Sequence, residues 1–136
     1  MTNDIHLNYI NGESKEGYDT MENINPSDVS DVVGFYAKAN SADCEAAIQA
    51  ASSAFSDWSQ SALEQRKAVL DKIGAELIAR SSEIGEILAR EEGKTLAEGI
   101  GEVARSGQFF QYYGAEVLRL MGENTASVRP GVDVEV

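Results

Sequence analysis

The feature that most constrains this chain is a predicted helix with non-polar residues on two opposite sides. Thr95-Leu96-Ala97-Glu98 has the pattern of a capping box, which predicts a helix start, and Gly122 is the expected stop. One side carries residues spaced alternately four and three apart, namely Leu96, Ile100, Val103, Gly107, Phe110, Gly114, Val117 and Met121. Gly107 and Gly114 on this side would let another helix approach closely.

The opposite side of this helix carries Gly101, Arg105, Phe109, Tyr112 and Glu116. At 100° per residue, Arg105 lies about 200° around the axis from Val103. A helix with this distribution needs packing partners on both sides. The other helical segments of the chain can cover only one of them.

Two further helices are predicted before this one. Ser41 is the expected cap of the first, which is rich in alanine and ends at Phe55 and Trp58 as anchors. Ser61 to Glu64 resembles a second capping box. Leu63, Leu70, Leu77 and Ile84 then fall seven residues apart, which predicts one amphipathic helix, bent at Ser81-Ser82 and stopped by Gly93.

Strands are predicted in the first forty residues and at the C-terminal end of the sequence. Residues 7–10 and 20–25 and residues 32–39 have strand character, Asn11-Gly12 is a strong hairpin-turn signal, and residues 13–19 are the expected return loop. Val132, Val134 and Val136 alternate with acidic residues, which predicts a half-buried final strand. The expected fold class is α+β, with strands and turns over 1–40, three main helices over 41–123 and an extended segment over 124–136.

Charge and cysteine content exclude several classes of function. The 136 residues include 11 basic and 23 acidic side chains, a net charge of −12. Such a chain lacks the positive field that non-specific nucleic-acid or anionic-membrane binding needs. The single cysteine allows no internal disulfide, which fits a reducing, cytoplasmic location. No apolar run is long enough to span a membrane, and the first residues lack a secretory signal pattern.

Taken alone, the residues reveal no catalytic group. One histidine and one cysteine cannot form a His/Cys zinc site. Cys44 is expected to be a structural residue, because free cysteines are usually buried, and His6 is expected to be a strand residue. Gly99-Ile100-Gly101 resembles a dinucleotide fingerprint, but it falls inside a predicted helix, where the required strand-to-helix turn is missing.

Arg105 has two alternative interpretations. Beside Phe109 and Tyr112 it could hold a carboxylate against an aromatic wall. A surface salt bridge or a cation–π contact is the more ordinary role for such an arginine.

Several short motifs, in their order and spacing, resemble the N-terminal part of the NAD(P)-dependent aldehyde dehydrogenase superfamily. They are Tyr9-Ile10-Asn11-Gly12-Glu13, Asn25-Pro26, Ala54-Phe55-Ser56-Asp57-Trp58, Arg66-Lys67-Ala68-Val69-Leu70, Glu92-Gly93-Lys94-Thr95 and Gln111-Tyr112-Tyr113-Gly114-Ala115-Glu116. The segments 93–98 and 127–132 look most like those of the α-ketoglutarate (2,5-dioxopentanoate) and succinate semialdehyde dehydrogenases.

The resemblance covers all of this chain but only about the first quarter to third of the family's length. It implies a parent reaction in which a thiolate attacks the aldehyde, hydride passes to NAD(P)+ and the thioester is hydrolysed. The family's catalytic cysteine, general-base glutamate, oxyanion-hole asparagine and cofactor-binding turn have no counterpart here. The chain is therefore expected to be an inactive scaffold that binds neither NAD nor NADP by itself.

The same resemblance implies which partners the chain has. Its helical region would pack on the nucleotide-binding domain, and its last strand would begin the arm through which the family forms homo-oligomers. Partners are thus the remainder of a dehydrogenase chain or further copies of itself. The alternative is a truncated, non-catalytic binding or assembly module.

Two site assignments are also implied by the resemblance. A monovalent cation such as sodium is expected at the Ile24 carbonyl and the Glu91 carboxylate, with a further ligand from outside this segment. The helix side with Gly101, Arg105 and Phe109 is expected to line a substrate tunnel, where Arg105 would meet the distal carboxylate of a semialdehyde acid.

Overall fold

The computed structural model describes residues 5–119 and 121–135. Its strands are β1 (Ile5–His6), β2 (Asn8–Ile10), β3 (Glu13–Lys15), β4 (Asp19–Ile24), β5 (Val32–Lys38), β6 (Asn124–Ala126) and β7 (Asp133–Glu135). Its α-helices are α1 (Ser41–Ser59), α2 (Leu63–Ala79), α3 (Ser81–Glu92) and α4 (Leu96–Glu116). The α+β class expected from the sequence is confirmed.

The N-terminal strands form two small sheets. Asn11, with φ of 56°, and Gly12, with φ of 80°, make the predicted hairpin turn between β2 and β3. Residues 13–15, expected to be loop, are strand because they pair with β2. In the other sheet, β5 lies in the centre, antiparallel to β4 and parallel to β1, with a register shift between Asn23 and Ile24.

Helix α1 is anchored less than the sequence suggests. Its cap is Asn40 rather than Ser41, because the Asn40 side chain accepts hydrogen bonds from the amides of Ala42 and Asp43. None of its residues is buried, and Phe55 and Trp58 are 67% and 47% exposed. The expected anchoring contacts are absent from the described residues, where α1 lies against little except β2.

The predicted bent helix over 61–92 is two helices. The break falls at Arg80, with φ of −102° and ψ of 17°, one residue before the expected bend. Ser61 does not cap α2, because its hydroxyl instead donates to the Trp58 carbonyl at 2.7 Å and accepts from Arg66 Nε at 3.0 Å. Gly93 ends α3 in the left-handed conformation, as predicted.

Helix α4 begins as predicted and ends earlier. Thr95 and Glu98 form the expected capping box. The helix ends at Glu116 and continues as one 3-10 turn over Val117–Arg119, rather than running to Gly122. Beyond it, β6 and β7 pair antiparallel, and Val132 and Val134 are exposed rather than half-buried, because no other described element covers them. Val136, the third valine of the predicted strand, lies outside the described residues.

The core is the contact of α4 with α2 and α3, and it consists largely of backbone. Its buried residues are Gly74, Gly85, Ala89, Gly99, Val103, Gly107 and Gly114. A Cβ atom on Gly107 would stand 2.7 Å from the Gly74 carbonyl oxygen, and a Cβ on Gly74 would stand equally close to the Gly107 carbonyl oxygen. The helices therefore cross at a separation that only glycine permits.

One side of α4 stays open, as its sequence indicates. Phe109, Tyr112 and Tyr113 are 56%, 58% and 59% exposed.

Within the described ranges, no helix is both long and apolar enough to cross a membrane.

Alanine substitutions on the two sides of α4 should have opposite effects. Gly107→Ala should lower the free energy of unfolding by about 1–3 kcal/mol, because the added methyl meets the α2 backbone. Gly101→Ala is the matched control, since no atom lies within 4 Å of its Cβ position. It should raise stability by up to about 1 kcal/mol through helix propensity. Urea unfolding of both variants measures this, and equal effects would contradict the tight crossing.

Candidate functional site

A polar seam joins the sheet to the end of α3. Arg90 donates from Nε and Nη2 to the two carboxylate oxygens of Asp31, at 2.9 and 2.6 Å, and from Nη2 to the Val32 carbonyl at 3.3 Å. The Asn25 amide donates to the same carboxylate at 3.1 Å. The hydrogen bond from Arg90, followed by the one from Asn25, lowers the pKa of Asp31 to about 2.

The turn that begins at Asn25-Pro26 extends this polar seam to Gly93. Ser27 Oγ donates to the Gly93 carbonyl at 2.7 Å, and Pro26 lies beside the same glycine. Lys94 pairs with Glu102 and with Glu92, and these two hydrogen bonds, the one to Glu102 first, raise the pKa of Lys94. The Gly-Lys motif thus holds a helix-to-helix connection together, consistent with the expected helix stop and start.

The two residues expected at the cation site lie together. Ile24 and Glu91 line one depression of about 390 Å³, with Glu22, Asn23, Met21 and Tyr36. The Asn23 amide donates to Glu91 Oε1 at 3.0 Å, although these residues are 68 positions apart in the chain. The Glu91 carboxylate is therefore held at the strand that carries Ile24.

The donor set at this depression suits a hard monovalent ion. Backbone carbonyl and carboxylate oxygens are the ligands that such ions prefer. Among the described residues, no group of three or more histidine, cysteine, aspartate or glutamate side chains could hold a metal ion. The monovalent-cation site at Ile24 and Glu91 therefore stays a prediction.

The expected tunnel side of α4 forms a second depression, of about 270 Å³. Its lining residues are Arg105, Gln108, Phe109, Tyr112 and Tyr113. The Tyr112 and Tyr113 rings meet edge to face, with centroids 5.3 Å apart. The structure thus brings Arg105 and Phe109 together, whereas Gly101, one turn earlier, lies outside the lining and faces open space.

Arg105 has neither of the ordinary roles considered for it. In the described part of the chain its guanidinium forms no hydrogen bond, ion pair or cation–π contact, whereas four other arginines bind carboxylate or carbonyl oxygens. These are Arg66, Arg80, Arg90 and Arg119. The donors of Arg105 remain available beside an aromatic wall.

The remaining candidates have structural positions. His6 stacks on Tyr36 across β1 and β5, with ring centroids 4.7 Å apart, as expected for a strand residue. Cys44 is exposed rather than buried, because α1 buries none of its residues. Gly99 lies inside α4 against α3, so the apparent fingerprint is a helix-packing position.

Sequence reasoning missed Asn23, the Asp31–Arg90 pair, Gln108 and the lining role of Tyr113. Asp31 and Arg90 are 59 positions apart, and no local pattern links them. Gln108 and Tyr113 could have been found, because both flank Phe109 and Tyr112 on the same helix.

Comparison with known proteins gives a consistent family match. The model of the aldehyde dehydrogenase family matches residues 13–136. An α-ketoglutarate semialdehyde dehydrogenase of Haloferax volcanii is 35% identical over 133 residues, which are 96% of this chain and 28% of that protein. A 1-pyrroline-5-carboxylate dehydrogenase of Bacillus subtilis is 35% identical over 122 residues, which are 90% of this chain and 24% of that protein.

Solved structures agree with the sequence matches. A betaine aldehyde dehydrogenase of Staphylococcus aureus, solved in complex with NAD+, superposes with a TM-score of 0.86 at 26% identity. That match covers 96% of this chain and 27% of the other chain. The chain therefore spans about a quarter of the length of the relatives that it matches.

The Asp31–Arg90 pair gives stability a defined dependence on pH. Because the pKa of Asp31 falls from 3.8 to about 2 on folding, the pair stabilises the folded chain fully above about pH 4. This contribution is lost as the pH falls through about 2. We expect Asp31→Asn to lower the urea midpoint at pH 6 and to remove part of the decline between pH 4 and 2.

Asp57→Asn is the matched control for that substitution. Asp57 lies on α1, and its carboxylate accepts no side-chain hydrogen bond from the described residues. Urea midpoints measured from pH 6 to pH 2 compare the two variants. A decline in Asp31→Asn as steep as in the unmodified chain would contradict the role of the pair.

Proposed function

Because the chain belongs to the aldehyde dehydrogenase family, we propose that it acts as the N-terminal segment of an enzyme that oxidises an aldehyde with NAD(P)+. In this reaction an aldehyde, water and NAD(P)+ give a carboxylate, NAD(P)H and two protons. When bound, NAD(P)+ would supply the hydride acceptor. The segment itself supplies the glycine-packed helices and the open side of α4, along which the substrate lies.

A semialdehyde acid is the proposed substrate class. Two relatives at 35% identity are named for α-ketoglutarate semialdehyde and 1-pyrroline-5-carboxylate, both of which carry a carboxylate. The open side of α4 offers Arg105 and Phe109 in one depression, with Gly101 leaving space one turn away. The availability of the Arg105 guanidinium is the observation that carries this assignment.

We also propose that the uncovered surfaces are interfaces. The exposed Phe55 and Trp58 of α1 would pack on the rest of a dehydrogenase chain. The strands β6 and β7 would take part in a homo-oligomer. A cytoplasmic location follows from the same assignment and from the single, exposed cysteine.

The protein isolated from its native source tests the proposed reaction. We expect an intact mass several times 14.7 kDa and reduction of NAD(P)+ in the presence of a semialdehyde acid. Mass spectrometry and absorbance at the reduced-nicotinamide band measure the two properties. A mass near 14.7 kDa without turnover would instead support a non-catalytic binding or assembly module.

A sodium ion is the proposed ligand of the depression with Ile24 and Glu91. Asn23 fixes one oxygen of Glu91, and the neighbouring strand offers backbone carbonyls, so a hard monovalent ion could bind between them. The ion would then tie β4 to the end of α3. Binding would stabilise the folded enzyme by mass action.

Thermal unfolding in sodium chloride and in choline chloride, at equal ionic strength, tests the ion site. At sodium ten times above its dissociation constant, we expect about 1.4 kcal/mol of added stability in the unmodified enzyme. Glu91→Gln should remove this difference, whereas Glu86→Gln, an exposed position on the same helix, should retain it. A sodium effect that persists in Glu91→Gln would exclude this site.

A further inference from the structure

We infer that helix α1 opens and closes as a unit separate from the core of α2, α3 and α4, and that Arg66 is the positioning residue that holds it closed. Arg66 lies on α2 and reaches back across the connection over residues 60–62 to the end of α1. This role does not depend on the proposed reaction. Three properties support it, namely the weak packing of α1, the hydrogen bonds at its end and its charge.

Helix α1 has few contacts that tie it to the rest of the fold. It runs for 19 residues, none of them buried, and in the described part of the chain it lies against little except β2. By contrast, α2, α3 and α4 bury glycine and alanine residues against one another. A segment with few buried contacts opens at a lower free energy than the core does. The alanine-rich sequence favours a helix here but does not fix where that helix lies.

The carbonyl groups at the end of α1 are held by Arg66. The last carbonyls of a helix have no partners within the helix itself. Arg66 Nη2 donates to the Trp58 carbonyl at 3.2 Å and to the Ser59 carbonyl at 2.8 Å, and its Nε donates to Ser61 Oγ at 3.0 Å. In the described part of the chain, Arg66 is the only donor to the Ser59 carbonyl. One guanidinium thus fixes the end of α1 to the start of α2.

Arg66 also supplies the charge that the end of α1 lacks. A helix carries partial negative charge at its C-terminal end, which a cation stabilises. The last turn of α1 has no basic residue, and the charged side chains of the helix are the acidic Asp43, Glu45 and Asp57. The guanidinium of Arg66 is the cation that contacts this end. Its loss would therefore remove hydrogen bonds and a favourable charge at the same place.

Opening of α1 would shift the exposed side chains of Phe55 and Trp58. These two residues form the surface proposed to pack on the rest of a dehydrogenase chain, so this consequence rests on the proposed function. Arg66 would then hold that surface in place before the rest of the chain covers it.

Native-state hydrogen exchange of the 136-residue chain, resolved by NMR, tests this role. Arg66→Gln should speed exchange of the α1 amides roughly 10- to 100-fold, the range for lost hydrogen bonds from a charged donor. The amides of Val103 and Gly107 in α4 should keep their rates, because the core stays closed when α1 opens. Arg66→Lys should recover part of the protection, because lysine keeps the charge without the planar fork of donors.

Fluorescence gives a second measurement, because Trp58 is the only tryptophan of the sequence. Arg66→Gln should lower the anisotropy of its emission, since a released helix moves more freely. Lys72→Gln is the matched control. It removes the same charge from an exposed position of the same helix, where the side chain forms no hydrogen bond with the described residues. It should change neither the anisotropy nor the exchange of the α1 amides.

Unchanged exchange of the α1 amides in Arg66→Gln would overturn the inference. Equal acceleration in α1 and α4 would overturn it as well, because the two would then open together. If Arg66→Gln does not fold, Ser61→Ala tests the same contact, since it removes the acceptor of Arg66 Nε. This variant should speed exchange in α1 more than in α4, and an equal effect or none would overturn the role of Arg66.

Discussion

The backbone contact between α4 and the pair α2 and α3 is the constraint on which the rest of the structure depends. At Gly74 and Gly107 the carbonyl of each helix occupies the space that a Cβ would need on the other. The second crossing is also close, because a Cβ on Gly99 would meet the Gly85 carbonyl oxygen and a Cβ on Gly85 would stand 2.6 Å from the Cα of Ile100. Because the helices meet at backbone distance, α4 has a fixed rotation about its axis, and the same rotation turns Arg105 and Phe109 outward.

The polar seam has a different role from the glycine core. It fixes the position of the sheet on α3 through Asp31, Arg90, Ser27 and the Asn23–Glu91 hydrogen bond, with little non-polar contact. Directional hydrogen bonds set an orientation more closely than they add stability, since water competes for the same groups. The seam therefore places the Glu91 carboxylate beside β4, while the helices provide the core.

Local patterns in the sequence were sufficient for much of the fold. The Asn11-Gly12 turn, the capping box at Thr95 and the stop at Gly93 each depend on neighbouring residues, and each is confirmed. The two-sided pattern of α4 is also confirmed, because helix periodicity is itself local. The family and its N-terminal region were evident from short motifs in a fixed order.

Features that depend on distant partners were not evident. Ser61 begins a capping-box sequence, but its hydroxyl donates a hydrogen bond to the Trp58 carbonyl and accepts one from Arg66. Helix α2 therefore begins without a hydrogen bond from the Ser61 side chain. The exposure of Cys44 and Trp58 follows from the absence of a described partner for α1, which no pattern within α1 reveals. Asn23 and Glu91 meet only because the sheet is seated on α3.

The division of α4 into a closed side and an open side has a consequence for how the sequence of this helix can diverge. Positions 74 and 107 tolerate almost no change, because any side chain there forces two helices apart. Positions 105, 109 and 112 carry no buried contact, so their side chains can be exchanged at little cost to folding. Single substitutions can therefore change the open side while the scaffold stays the same, so that one helix combines a face that must keep its residues with a face that can vary.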